Sequence, residues 1–385
     1  MTSPITASVP LQIGDVIKDR YTLLKQIGAG TYGAIYAALY RGNMVTRLVA
    51  IKFEKVTQKY SLQYNEVALM KLLAGSSHFA KFYRCGTHEG FKFVCMELLG
   101  PSLIQLVNRK RPYQLNLFQL LKFGVQAIKC LQELHKAGFV HRDVKPENFV
   151  IGNTKKTAGT IYLIDFGLCK RLPVVDGKIV KPTNKGSFRG TLRYASPNGH
   201  KLLELGRHDD LISLLYMMVE YYTGKLPWSN TEDINEILHL KQQSIGGRLF
   251  SKMPLQFQEF ENHIFQLDFV DEPDYKKLIG LMFLVAYNSK LDLNNWPFEW
   301  EEELNQQREI VRHRLNSGLN ESLDLNVQYD DNQITAIITT HSETQANSVL
   351  KINCATLLIE VQKKIITEIL ITIKLRLQII DFIEG

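Results

Sequence analysis

The sequence predicts an α+β fold of two lobes, a small antiparallel β lobe followed by a larger, mostly helical lobe, with a C-terminal tail. Short apolar runs separated by glycine-marked turns fill the segment from Tyr21 to Glu97, which is typical of strands. After Gly100 and Pro101 the apolar residues recur at helical spacing instead. Beyond Glu303 the composition shifts to Asn, Gln, Ser and Thr without a clear period, which is typical of a linker or a disordered tail.

The β lobe is predicted for residues 21–98, after an N-terminal extension of residues 1–20. Its strands are expected in four apolar runs, YTLLKQI, AIYAALY, RLVAIKFE and FKFVCMEL. Between the last two runs, apolar residues recur from Leu62 to Leu73 at a spacing that predicts a single helix carrying Glu66.

The helical lobe is predicted for residues 99–302. Its first long helix is indicated by apolar residues at helical spacing, namely Leu117, Leu121, Val125, Ile128, Leu131 and Leu134. The later run LISLLYMMVEYY is apolar on nearly every face, and such a helix is usually buried at the centre of a domain. The tail, residues 303–385, ends in an apolar segment with two possible patterns. Residues 371–379 alternate as a strand would, whereas one face of a helix would be lined by Leu358, Val361, Ile365, Ile369, Ile373 and Leu377.

Composition narrows the class of protein. The 385 residues are 45% hydrophobic and 22% charged, which is typical of a folded globular chain and excludes a disordered or collagen-like one. The net charge of +7 favours acidic or phosphorylated partners but is too diffuse to indicate nucleic acid. Five cysteines without a CxxC pair indicate neither a disulfide framework nor a zinc site. Because no signal peptide or membrane-spanning run is seen, we expect a cytoplasmic protein without a membrane partner, the nucleus being the alternative location.

The first chemical motif is a glycine-rich turn. Gly28, Gly30 and Gly33 stand in IGAGTYGAIY between two predicted strands, where small residues let the backbone approach phosphate groups closely. Alone, this pattern is equally typical of an ordinary hairpin. The next strand, however, carries VAIK, ending at Lys52, and Glu66 follows on the predicted helix. A lysine held by a glutamate can bind α and β phosphates as a fixed point charge, so the combination indicates a nucleotide site.

The second chemical motif is HRDVKPEN, which begins at His141 and is followed by DFG at Asp165. Phosphoryl transfer depends mostly on positioning and on charge neutralisation, and these residue types supply both. Asp143 would accept or orient the proton of a substrate hydroxyl, and Lys145 would neutralise charge on the moving phosphoryl group. Asn148 and Asp165 would hold Mg²⁺, a hard cation that prefers oxygen ligands. The four motifs in this order predict phosphate transfer from ATP.

In these motifs the chain resembles the eukaryotic protein kinases, over about Ile13 to Trp300. The resemblance implies a kinase domain at residues 21–302, with ATP in the cleft between the lobes. It also identifies Met96 as the gatekeeper of the adenine pocket and Glu97 to Leu99 as the hinge. Lys145 within HRDxKxxN resembles the serine/threonine pattern rather than the tyrosine one. The residues expected around the nucleotide are Ile27, Gly28, Gly30, Gly33, Ile35, Ala50, Lys52, Glu66, Met96, Glu97 and Leu99.

Longer matches narrow the resemblance. MELLGPSL, the NF pair after the catalytic loop and FRGTLRYASPNGH at 188–200 are similar to the casein kinase one superfamily. Within it, RGTLRYAS together with DEPDY and PFEWE is most similar to the tau-tubulin kinases. The resemblance implies that Asp210 orients the backbone of the catalytic loop. Ser196, Pro197 and Asn198 replace the usual APE tripeptide, so the usual Glu to Arg anchoring of the activation segment is not expected.

A substrate preference is the next hypothesis. The activation segment carries five basic residues, Lys178, Lys181, Lys185, Arg189 and Arg193. By resemblance, Arg193 lies where the superfamily binds an anion, so it is the candidate residue for binding acidic or already phosphorylated protein substrates, since guanidinium pairs well with phosphate. A solvated basic loop is the alternative, and the absence of a lysine in SNTEDIN after Trp228 counts against the hypothesis.

The leading interpretation is a monomeric serine/threonine protein kinase that uses ATP and Mg²⁺, acts on protein hydroxyls and does not bind nucleic acid. A pseudokinase scaffold is the rival, but a scaffold has no need of the intact catalytic set. That set comprises Lys52, Glu66, Asp143, Lys145, Asn148 and Asp165. A small-molecule kinase is the third alternative, and the long activation segment from Asp165 to Ser196, suited to presenting a protein chain, counts against it.

Overall fold

The first lobe is built on a six-stranded antiparallel sheet. The computed structural model describes residues 11–30, 33–43, 45–56, 62–109, 111–182, 188–305, 326–329 and 336–339. The strands are β1 (Val16–Ile17), β2 (Tyr21–Gly30), β3 (Gly33–Arg41), β4 (Thr46–Lys55), β5 (Phe82–His88) and β6 (Phe91–Glu97). Their order in the sheet is β1-β2-β3-β4-β6-β5. Helix α1 (Leu62–Leu72) connects β4 to β5, as the apolar spacing predicts.

The register of β4 sorts its side chains onto the two faces of the sheet. Ile51 and Phe53 are buried in the core of the small lobe, where Phe53 meets Phe93 at a ring distance of 6.2 Å. Because successive side chains on a strand alternate between faces, Ala50 and Lys52 lie on the opposite face. The alternation of VAIK therefore brings the lysine to the side of the sheet that faces the larger lobe.

The second lobe is mostly helical, and its strands are short. Its helices are α2 (Leu103–Val107), α3 (Leu117–Lys136), α4 (Pro197–His200), α5 (Arg207–Thr223), α6 (Ile234–Ser244), α7 (Gln256–Phe265) and α8 (Tyr275–Asn288), and residues 299–305 are also helical. Three strand pairs accompany them: β7 (Phe139–Val140) with β10 (Lys170–Arg171), β8 (Phe149–Ile151) with β9 (Ile161–Leu163), and β11 (Val174–Val175) with β12 (Lys178–Ile179). The prediction of a β lobe followed by a helical lobe is confirmed.

Helices α3 and α5 form the centre of the larger lobe. Asn116 caps α3 by accepting a hydrogen bond from the backbone N–H of Gln119, whose side chain accepts one from Asn116 in return. Helix α5 is buried along almost its whole length and ends at Gly224, whose φ of 87° suits a left-handed cap. The prediction that LISLLYMMVEYY forms a central helix is confirmed.

The tail is described only in part. Two short strands, β13 (Asn326–Tyr329) and β14 (Ala336–Thr339), pair antiparallel in the region where the composition gave no periodic signal. The apolar segment at 371–379 and the first ten residues lie outside the described residues. Among the described helices, none combines the length and apolar character that crossing a bilayer requires.

Candidate active site

A cavity of about 450 Å³ lies between the two lobes. Its roof is formed by β2, β3 and β4, its back by β6, and its floor by apolar residues of the larger lobe, among them Val150 and Ile164. The predicted nucleotide residues that line it are Ile27, Ile35, Ala50, Lys52, Glu66, Met96, Glu97 and Leu99. Apolar walls with a few polar groups at one end suit a flat heterocycle carrying charged phosphates.

The three predicted glycines are not among the described residues that line this cavity. Gly28, Gly30 and Gly33 lie at the end of β2 and the start of β3. Sequence reasoning also missed Val150 and Ile164 in the floor. In the sequence, the one feature that could have indicated these two residues is that each is apolar and close to a catalytic motif. Many core residues share that feature, so it does not single them out.

Lys52 connects both lobes through its ammonium group. Its Nζ lies 3.0 Å from Oε1 and 2.9 Å from Oε2 of Glu66, and 3.1 Å from Oδ1 of Asp165. Burial alone would lower the pKa of Lys52, but the two carboxylates outweigh it and raise that pKa, so the lysine stays protonated. Leu69 and Met70 are buried one turn after Glu66, on the same face of α1, so packing of this face delivers the carboxylate.

The catalytic loop is held by one buried carboxylate. Asp210, in the first turn of α5, accepts backbone N–H bonds from His141 at 2.7 Å and from Arg142 at 2.8 Å. His135 Nε2 lies 2.9 Å from the same carboxylate. Burial opposes the charged form, but these hydrogen bonds keep the pKa of Asp210 below its ordinary value. Arg142 has a φ of 68°, a strained value for a residue with a Cβ, so the two backbone bonds hold an otherwise unfavourable turn. The predicted role of Asp210 is confirmed.

Asp143 is fixed at both carboxylate oxygens. Lys145 Nζ lies 2.8 Å from Oδ2, and the hydroxyl of Thr191 donates to Oδ1 at 2.9 Å. Asn148 donates its side-chain N–H to the backbone carbonyl of Asp143 at 2.8 Å. The structure thus brings together three of the predicted catalytic and metal residues, and it adds Thr191, which the sequence did not indicate as part of the site.

Gly190 lets the activation segment approach the catalytic loop. Its φ is 95°, and a Cβ there would lie 2.5 Å from the backbone oxygen of Arg142. Any side chain at this position would therefore push Thr191 away from Asp143. Gly190 and Thr191 are the GT pair of RGTLRYAS. The sequence alone does not show that this pair packs against the catalytic loop.

The two predicted metal ligands fit Mg²⁺ in chemical type. Asn148 uses its amide nitrogen on Asp143, which leaves its oxygen as the group suited to a hard cation. Burial opposes ionisation of Asp165, but the charge of Lys52 lowers the pKa of that carboxyl, so the group is anionic. Its side chain is half exposed. In the part of the chain that the structure describes, no group of three or more His, Cys, Asp or Glu residues could hold a metal, so phosphate and water oxygens would complete the coordination.

Arg193 lies on the activation segment in an ion pair. Its guanidinium is 2.7 Å from Oε1 of Glu220 and also donates to the backbone oxygen of Ser229 at 3.4 Å. The arginine side chain is 45% exposed and the glutamate 11%, so only one partner of the pair is accessible to solvent. Lys181, another of the predicted basic residues, pairs with Asp268 at 2.6 Å. A phosphate at Arg193 would have to compete with an internal carboxylate.

Comparison with known proteins gives one family. A family model described as "Protein kinase domain" matches residues 21–291. A protein of Dictyostelium discoideum named "Probable serine/threonine-protein kinase" is 38% identical over 292 residues, covering 76% of this chain and 58% of that protein. Two Caenorhabditis elegans proteins are similar over most of their length. One, named "Putative casein kinase I", is 30% identical over 298 residues, covering 75% of this chain and 85% of the relative. The other, named "Putative serine/threonine-protein kinase", is 31% identical over 299 residues, with coverage of 76% and 85%.

Proposed function

The chain belongs to the protein kinase family, and from this premise we propose an active enzyme that transfers the γ-phosphoryl group of ATP to Ser or Thr hydroxyls of proteins. One observation carries the proposal. Lys52 contacts Glu66 and Asp165 at the same time, at 2.9 Å and 3.1 Å, so groups from three separated segments meet where the phosphates would lie. Removing the Lys52 ammonium from water costs free energy, and a scaffold that only binds partners has no use for that arrangement.

Each residue has a defined task in the proposed reaction. Lys52 binds phosphate oxygens as a point charge, and Asp143 orients the attacking hydroxyl and takes its proton. Lys145, already within reach of Asp143, neutralises charge on the moving phosphoryl group. Asn148 and Asp165 would hold Mg²⁺, which supplies further neutralisation when it is bound.

The narrower proposal is a member of the casein kinase one superfamily, of the tau-tubulin kinase type, acting in the cytoplasm or the nucleus. RGTLRYAS, DEPDY and PFEWE support this assignment, and one relative is named as a casein kinase I. The acidic or phosphorylated substrates proposed with it rest on the half-exposed guanidinium of Arg193.

The first test measures phosphate transfer. The full chain with ATP and Mg²⁺ is expected to phosphorylate casein on Ser and Thr, as shown by phosphoamino acid analysis. Two peptides that differ only in Ser or Tyr at the acceptor position provide the matched comparison, and the tyrosine peptide is expected to stay unmodified. A protein that binds nucleotide but transfers no phosphate to any of these substrates would support the scaffold interpretation instead.

The second test addresses Arg193. Wild type is expected to favour a peptide with a phosphoserine near the acceptor over its unphosphorylated twin by about tenfold in kcat/KM, the typical worth of one charge-assisted hydrogen bond. Arg193→Ala is expected to abolish that ratio, whereas Arg193→Lys should keep part of it. Tyr194 still donates to Glu220 in both variants, so the buried carboxylate retains a partner. An unchanged ratio in Arg193→Ala would reject the phosphate-binding role.

A further inference from the structure

A lysine is completely buried beneath the activation segment. Lys241, on α6, has no exposed surface. Its Nζ donates to the backbone oxygens of Leu192 at 2.7 Å and of Ala195 at 2.6 Å, and lies 3.0 Å from Nε2 of His200. All three contacts are made to one short stretch of chain, the residues that follow Thr191.

The environment of Lys241 differs from that of an ordinary structural lysine. Among the described residues no carboxylate pairs with it, and burial lowers its pKa to about 6. The rings of Tyr216 and Trp228 have their centroids 5.4 Å and 5.2 Å from Nζ. Burying an amine without a counter-charge is costly, and an apolar side chain of similar size would avoid that cost. The polar head is therefore retained for the bonds that it makes to the segment.

Lys241 can make these three hydrogen bonds whether its side chain is protonated or neutral. As an ammonium, the lysine has an acceptor for each of its N–H groups. As a neutral amine, it donates to the two carbonyls and accepts from the His200 ring. Burial and the neighbouring lysine lower the pKa of His200 to about 4, so the imidazole is neutral and can take either role. Both protonation states of Lys241 can therefore make all three contacts with the segment.

The segment held in this way is the one that reaches the catalytic carboxylate. Thr191 donates to Asp143 from immediately before the first anchored carbonyl. Trp228 donates its indole N–H to the backbone oxygen of Arg193 at 2.8 Å, between the two carbonyls that Lys241 takes. Lys241 and Trp228 together therefore fix three carbonyls within four consecutive residues, Leu192 to Ala195.

We propose that Lys241 is a positioning residue for the protein substrate, because it fixes the stretch Thr191 to Ala195 against the catalytic loop. It acts through Thr191 and the backbone of the segment, and touches neither nucleotide nor acceptor. The inference rests on the proposed kinase function. Its consequence is selective: loss of the lysine head group lowers use of a peptide substrate while binding of ATP, in the other half of the cleft, is retained.

The experiment compares two variants of the full chain with wild type. Lys241→Met keeps the length of the side chain and removes every donor, whereas Lys241→Gln keeps two N–H donors on a shorter chain. Ser244→Ala is the matched control, because Ser244 is buried on the same helix and its hydroxyl donates to Leu240 of that helix, with no other side-chain hydrogen bond among the described residues. For each protein we would measure kcat and KM for a serine peptide, the Kd of ATP, the thermal midpoint, and hydrogen exchange of residues 188–200.

In Lys241→Met, kcat/KM for the peptide is expected to fall by about tenfold or more, and exchange in residues 188–200 to quicken. Lys241→Gln should fall between it and wild type, Ser244→Ala should match wild type, and the Kd of ATP should be constant. Unchanged peptide kinetics or unchanged exchange would overturn the inference, as would equal losses of peptide use and ATP affinity. If Lys241→Met does not fold, Lys241→Gln is judged by the same criteria. An inactive wild type would reject the proposed kinase function but not the anchoring of the segment by Lys241. The anchoring would still be tested by comparing hydrogen exchange of residues 188–200 between wild type and the Lys241 variants.

Discussion

Asp143→Asn is expected to lower kcat for phosphate transfer by roughly 10²- to 10⁴-fold, the range that general base catalysis contributes. The amide has nearly the shape of the carboxylate, so the hydrogen bond from Thr191 and the contact with Asn148 can persist. It cannot accept a proton, and it removes the charge that lies 2.8 Å from Lys145. The loss is thus expected in the chemical step, measured in a single turnover with saturating ATP.

The control for this variant is a carboxylate outside the cleft. Asp268 pairs with Lys181 at the surface, and Asp268→Asn removes one negative charge without touching the catalytic loop. We expect its kcat to match wild type, and we expect both variants to bind ATP with wild-type affinity. Substantial transfer by Asp143→Asn would mean that the hydroxyl is oriented by another group, and the assignment of Asp143 would have to be abandoned.

The chemistry of this site was predictable from the sequence because it is encoded in short motifs. The alternation of VAIK places Lys52 opposite Ile51, and helical spacing places Glu66 on the face of Leu69, so local rules alone bring both toward the cleft. The central position of α5 follows in the same way from its continuous apolar character.

Contacts between distant segments were not predictable in this way. Thr191 meets Asp143 across 48 positions of sequence, and Lys241 meets Leu192 across 49. In the sequence, Thr191 has no pattern that distinguishes it from a surface threonine, and Lys241 reads as a solvated lysine on a helix. Their roles depend on how the activation segment packs between α6 and the catalytic loop, which is a property of the tertiary fold.

Lys52→Met is the second variant with a large expected effect, a fall in kcat of roughly 10²- to 10³-fold, as for loss of one preorganised charge. It also changes how stability depends on pH. Glu66 is 3% exposed, and burial raises its pKa while Lys52 opposes that rise. Without the lysine the folded-state pKa of Glu66 rises further above its unfolded value. The contribution of Glu66 to the stability of the variant is therefore most favourable at low pH, where the Glu66 carboxyl is neutral in both the folded and the unfolded state. That contribution to the free energy of unfolding falls as pH rises from the unfolded-state pKa of Glu66 through the folded-state pKa.

Urea unfolding of Lys52→Met from pH 4 to pH 8 is therefore expected to show a free energy of unfolding that declines relative to wild type as pH rises. The double variant Lys52→Met/Glu66→Gln carries no titratable group at this pair, so the part of the relative decline that Glu66 causes should disappear while the enzyme stays inactive. Only the part from Asp165, whose pKa Lys52 also lowers, should remain in both variants. Equal pH profiles for the single and double variants would show that Glu66 has found another cation or water. In that case Lys52 would not be the group that keeps this carboxylate ionised, and the bridge between α1 and β4 would not depend on charge.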